Sequence, residues 1–93
     1  MIYKRTLSKR FKKELRKLER SGFFDRARAE FAVEILASGG ILDASYYDHL
    51  LKGDLAGYRE CHIASDCLMI YAIDESIGEL YLYRIGSHAQ LYE

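Results

Sequence analysis

The chain predicts an α+β fold in the order β-α-α-β-β-β, an αα-hairpin packed on a small, twisted, mainly antiparallel sheet. Three observations carry that expectation. Apolar residues recur at helical spacing from Leu7 to Leu36, the pattern changes to period two after Leu55, and two short polar turns divide the second half into strand-length pieces. A chain of 93 residues buries one modest core, so residues 1–93 are expected to form a single domain.

Ile2 to Thr6 alternates like a short edge strand. Ser8 then offers an N-cap oxygen to a helix whose stripe is Leu7, Phe11, Leu15 and Leu18, and Ser21-Gly22 ends it. A second helix starts at the cap Asp25, turns Phe24, Ala27, Phe31, Ile35 and Leu36 inward, and stops at Gly39-Gly40. Residues 41–54 are too mixed in period to read as one element, and they carry His49. Gly57 to Ile63 is a strand, Ala64-Ser65-Asp66 a tight turn, and Cys67 to Ile73 a nearly continuous apolar strand of the kind buried on both faces. Asp74 to Gly78 turns the chain again. Glu79 to Ile85 is the last long strand, and Ala89 to Tyr92 is expected to extend it.

Composition narrows the function classes. Nearly half the residues are apolar and none is proline, a globular profile, and no stretch approaches the roughly 20 apolar residues of a membrane span. The first residues lack the apolar core of a signal peptide, so a cytoplasmic protein without a membrane partner is expected. Cys61 and Cys67 read as inert, half-buried thiols of a reducing compartment. A net charge of zero conceals segregation. Residues 1–28 hold 11 Lys and Arg against three acids, and residues 29–93 hold three against 11. Lys9, Arg10, Lys12, Lys13, Arg16, Lys17 and Arg20 crowd the first helix, and that face either meets phosphates or is simply solvated.

All three histidines, His49, His62 and His88, lie in the acidic half, interleaved with Glu60, Asp66 and Arg84. With an unperturbed pKa of about 6.5, histidine gives and takes protons near neutrality. Alternation puts Tyr58, Glu60 and His62 on one strand face, and Arg84 on a face with Leu80 and Leu82, continued by Gly86 and His88 if the chain stays extended. Since a helical hairpin covers one side of a sheet, Glu60, His62, Arg84 and His88 are expected to converge on the other, with His49 supplied by the connector. These types suit RNA cleavage by its own 2′-hydroxyl. A base takes the 2′-proton, an acid protonates the leaving 5′-oxygen, and arginine meets phosphoryl charge. Spacings such as H-x₃-H, C-x₂-C or H-E-x-x-H do not occur, so no metal or other cofactor is expected.

The segments Asp48-His49-Leu50-Leu51-Lys52-Gly53, Gly57-Tyr58-Arg59-Glu60-Cys61-His62 and Arg84-Ile85-Gly86-Ser87-His88-Ala89-Gln90-Leu91-Tyr92, with Asp66 and Tyr71 between them, resemble the YafQ-type branch of the RelE-like toxins of bacterial type II toxin–antitoxin systems. The resemblance covers essentially the whole chain. It implies a RelE-like microbial RNase fold and an mRNA interferase, an endoribonuclease that cuts messages in the ribosomal A site. The implied partners are a cognate antitoxin, the 70S ribosome with its mRNA, and operator DNA only through the antitoxin.

Position by position, the resemblance implies a catalytic set of His49, His62, Asp66 and His88, a phosphate-binding Arg84, and Tyr92 stacking on or positioning a base. Glu60 stands where that branch often has aspartate, and Tyr92 replaces the more usual phenylalanine. Arg59 is either a second phosphate contact or a structural ion pair, with the phosphate role preferred. Asp66 suits its turn as well as a catalytic role, and Tyr46, Tyr47, Tyr58, Tyr71, Tyr81 and Tyr83 read as sheet packing, with stacking on bases the alternative for any that are exposed. The rival reading is a noncatalytic binding module on the same scaffold, either a gyrase-poisoning relative or a degenerate antitoxin-binding protein.

Overall fold

A computed structural model describes residues 2–92. Strand β1 (Lys4–Leu7) leads into helices α1 (Lys9–Ser21) and α2 (Arg26–Ala37). Then come β2 (His49–Leu50), β3 (Arg59–Ala64), β4 (Cys67–Asp74), β5 (Glu79–Gly86) and a closing helix α3 (His88–Tyr92). The five strands form one sheet in the order β1-β5-β4-β3-β2, with β1 parallel to β5 and the other pairs antiparallel. The expected α+β order therefore holds, and β1 is an edge strand.

The helix boundaries follow from local chemistry. Ser8 caps α1 by accepting the Phe11 N–H at 2.9 Å, and Gly22 ends it at φ 80°, a left-handed conformation that glycine adopts without a Cβ clash. Asp25 caps α2 by accepting the Arg28 N–H at 3.0 Å. The inward face of α2 differs from the expected one: Ala29, Ala32, Val33, Leu36 and Ala37 are buried, while Ala27 and Phe31 are exposed. Small side chains let a helix backbone approach the sheet closely. Their 3- and 4-residue spacing marks the packed face better than the bulk of Phe31 does.

Two differences from expectation lie in the connector and at the C-terminus. Residues 41–54 contain β2, with 3-10 turns at Ala44–Tyr46 and Gly53–Leu55 beside it. The expected strand extension at Ala89–Tyr92 is helical, because Ser87 accepts the Gln90 N–H through Oγ while Gln90 Oε1 accepts the Ser87 N–H, a reciprocal cap that starts a helix. A Cβ on Gly86 would stand 2.7 Å from that Gln90 oxygen, so glycine permits the close turn from β5 into α3.

The main core lies between the helical hairpin and one sheet face, around Phe11, Ala32, Leu36, Cys61, Ile63, Met69, Tyr71, Leu80, Leu82 and Ile85. On the opposite face Leu68, Ile70 and Leu91 form a smaller cluster with Leu51, Leu55, Tyr58 and Tyr83. Strand β4 is thus buried on both sides, which explains its unbroken apolar run. Cys61 and Cys67 are free and buried. Burial pushes the thiols up to about 12 and about 11. Among the described residues no helix is long and apolar enough to cross a membrane.

One irregularity decides where the site residues go. The β4–β5 register pairs Tyr71 with Leu82 but Ile70 with Arg84, leaving Tyr83 as an extra residue. This bulge reverses the strand's alternation. Arg84 therefore leaves the face of Leu80 and Leu82, against the sequence expectation, and pairs across from Ile70 on the other side. Helix α1 satisfies the backbone there: Ser8 N–H donates to Leu82 O at 3.0 Å, Ser8 Oγ donates to Tyr83 O at 2.7 Å, and Ile85 N–H donates to Glu14 Oε1 at 3.1 Å.

Candidate active site

Glu60 stands at the centre of the face away from the hairpin. Cys61 and Ile63 turn into the main core, so alternation along β3 sends Glu60 and His62 the other way. The antiparallel register sets His49 of β2 directly across from Glu60. Glu60 is only 5% exposed, and its Oε1 lies 3.4 Å from His49 Nε2 and 3.8 Å from His62 Nε2. Its Oε2 accepts the Tyr92 hydroxyl from α3. Burial of a carboxylate is tolerable because the Tyr92 hydroxyl donates to it in place of water. Desolvation, then the hydrogen bond to Glu60 and its negative charge, push the Tyr92 hydroxyl well above its ordinary value.

His49 is oriented from behind. Its Nδ1 lies 2.6 Å from Tyr47 O, and because a carbonyl only accepts, Nδ1 carries a proton and Nε2 faces Glu60. His88 opens α3; its N–H donates to Asp66 Oδ1 at 3.3 Å, and its Nδ1 lies 3.8 Å from the same oxygen. Ring centroids are 6.5 Å apart for His49 and His62 and 6.1 Å apart for His62 and His88. Tyr92 stands 6.1 Å from His88. The three imidazoles, Glu60, Asp66 and Tyr92 thus form one cluster, with His62 its most enclosed histidine and Asp66 its most open carboxylate. A proton acceptor, a proton donor and carboxylates to orient them are within one substrate's reach of each other.

Two expected members are placed differently. The Arg84 fork grips Glu14 instead of standing free for phosphate: Nε lies 3.1 and 2.9 Å from the two carboxylate oxygens, and Nη2 lies 2.6 Å from Oε2. Nη2 also donates to Gln90 O at 3.1 Å, which ties α3 to β5 and α1. The bulge that moved Arg84 off the Leu82 face turned it toward Glu14. Arg59 leaves the group altogether. It pairs with Tyr71 across β4 on the hairpin side and donates through Nε to Asp48 at 3.2 Å, where the Tyr71 hydroxyl also donates at 2.7 Å. Arg59 is thus held in an ion pair with Asp48.

The basic side chains of α1, Lys9, Arg10, Lys12, Lys13, Arg16, Lys17 and Arg20, are all exposed, and none is in an ion pair among the described residues. Lys17 and Gln90 line one cavity, so this face reaches the flank of α3. Three residues escaped the sequence reading: Glu14, Gln90 and Tyr47. Glu14 did leave a signal, one of only two acids among the seven cations of α1. Tyr47, read as sheet packing, is 68% exposed with its ring 5.5 Å from His62. Among the described residues no group of three or more His, Cys, Asp or Glu side chains is gathered to hold a metal ion.

Comparison with known proteins matches residues 3–93 to the family described as bacterial toxin of type II toxin-antitoxin system, YafQ. The chain is similar to the toxin YafQ of Haemophilus influenzae, 38% identical over 61 residues, a stretch spanning 63% of this chain and 60% of that protein. It is 31% identical over 77 residues to the mRNA interferase toxin YafQ of Escherichia coli K12, with 82% of each chain covered. Among solved structures, a metal-bound toxin from Helicobacter pylori superposes with a TM-score of 0.89 at 39% identity, covering 99% of this chain and 100% of the other. The toxin of the E. coli DinJ-YafQ toxin-antitoxin complex superposes at 0.86 with 28% identity, covering 100% of both chains. The match to the family model over nearly the whole chain, together with this fold, makes the chain a member of the YafQ family of type II toxin–antitoxin toxins.

Proposed function

We propose that this toxin is an endoribonuclease, an mRNA interferase that cleaves messages in the ribosomal A site by metal-independent acid–base catalysis. The observation that carries the reading is the run of three imidazoles in which ring centroids of His49 and His62, and of His62 and His88, lie within 6.5 Å, with the buried Glu60 beside the first two. A 2′-hydroxyl seated there loses its proton to one imidazole as its oxygen attacks phosphorus; another imidazole protonates the departing 5′-oxygen. Each proton transfer contributes on the order of 10²–10⁴-fold. Glu60 orients His49 and His62, and Asp66 does the same for His88. Tyr92 holds Glu60 and offers its ring to a base. Arg84, held by Glu14, acts as a positioning residue that fixes α3 and so His88.

The whole chain works as one domain in the cytoplasm. The basic face of α1 meets ribosomal RNA, a cognate antitoxin silences the toxin as DinJ pairs with YafQ in the E. coli complex, and operator DNA is reached only through the antitoxin. Mapping cleavage on one message, with and without translation and with and without a chelator, tests the reading. Cuts that need translation and survive chelation are expected; cuts that vanish with the metal would replace the mechanism.

A further inference from the structure

A cavity of about 330 Å³ adjoins His62, lined by Asp25, Arg28, Ser45, Tyr47 and His62 among others, with His88 outside it. Tyr47 is the one non-glycine residue with a positive φ among the described residues, at φ 48° and ψ 42°. A bulky side chain rarely adopts this conformation, and outliers of this kind gather at binding sites. The strain gains no packing for the ring, which stays 68% exposed, edge-on to His62. Across the cavity the Arg28 guanidinium lies 4.0 Å over the Tyr46 ring and donates to Ser45 Oγ at 3.2 Å. Stacking holds that planar fork in place.

We infer that this cavity is a nucleobase subsite, holding the base of the nucleotide next to the cleaved bond. The base stacks on Tyr47, and its edge hydrogen-bonds to the Arg28 fork and the Asp25 carboxylate. Single-stranded RNA is commonly read this way, by an aromatic face with polar groups at the edge. A subsite touching His62 selects which bond is cut. The inference rests on the RNA-cleavage reading and adds its sequence preference.

The test compares cleavage maps and single-site kinetics on a translated message for the wild type, Tyr47→Asn, Tyr47→Phe and His62→Ala. Asparagine tolerates the left-handed backbone, so the first variant removes the ring without altering the turn. Tyr47→Asn is expected to cut preferred sites roughly 5- to 150-fold less efficiently, the range of one lost stacking contact, and to spread cleavage over other sequences. Tyr47→Phe keeps the wild-type map. A wild-type map and efficiency for Tyr47→Asn would overturn the subsite. So would a uniform loss at all sites with preference intact, which would make Tyr47 only a support for His49. An unchanged map with weakened antitoxin binding would assign the cavity to the protein partner instead. Absence of cleavage by the wild type would remove the RNA-cleavage reading itself, and wild-type cleavage by His62→Ala would take His62 out of the chemistry, both separately from the Tyr47 result.

Discussion

The two residues that depart from the pattern of the resembled branch meet each other. Glu60 is longer than aspartate, Tyr92 carries a hydroxyl that phenylalanine lacks, and that hydroxyl donates to Glu60. Tyr92→Phe removes one donor from a buried carboxylate. Because Tyr92 is itself 48% exposed, the expected cost is about 1 kcal/mol, below the usual range for charged hydrogen bonds, read as a lower urea midpoint at unchanged m-value. An unchanged midpoint would mean that water replaces the hydroxyl freely. The thiols give a second residue-level expectation. Their folded values, about 12 for Cys61 and about 11 for Cys67, exceed the ordinary 9, so the folded protein holds these protons more tightly than the unfolded chain. Stability should then fall as pH rises from about 9 toward 12. An alkylating reagent should label neither thiol in the native protein at neutral pH and both after denaturation, and native labelling would contradict the burial. Alternation alone made Glu60 and His62 legible as neighbours on one face. The His49 partner was hidden because a two-residue strand carries no period to read.

At the scale of elements, the β5 bulge and the N-terminal half of α1 form one device. Ser8 and Glu14 satisfy backbone groups that β1 is too short to reach, and Glu14 also holds Arg84. The side chains of this pair are 10% and 19% exposed, so removing either leaves a mostly buried charge alone. Glu14→Ala and Arg84→Ala should each destabilise by about 3 kcal/mol, the low end for such pairs, and the double variant by clearly less than the sum. Urea unfolding of the three proteins measures this, and small additive losses would show that the pair bears no weight. Period-two reading could not foresee the bulge, since an extra residue leaves composition untouched and shifts only parity. In α2 the difference has another cause: the alanines at helical spacing, Ala29, Ala32 and Ala37, mark the packed face, and the bulky Phe31 does not. The caps Ser8 and Asp25 and the Gly22 stop were legible because each acts through its own side chain or lack of one.

Across the whole molecule, the charge segregation seen in the sequence becomes spatial. The cations of α1 are exposed and unpaired among the described residues, while the histidine cluster is built from β2, β3 and α3 in the acidic half. Reversing Lys12, Lys13, Arg16 and Lys17 to glutamate should weaken binding to ribosomes and flatten its salt dependence, by roughly 0.7–0.9 in log–log slope per lost phosphate contact. Unchanged affinity and slope would leave that face to solvent. The central claim is that the histidine cluster cuts RNA, and the most direct measurement is the single-turnover cleavage rate of His62→Ala and His88→Ala on translating ribosomes, with antitoxin affinity measured in parallel. Each variant should lose on the order of 10²–10⁴-fold in rate while binding the antitoxin as before. Cleavage by both at the wild-type rate would place the chemistry elsewhere.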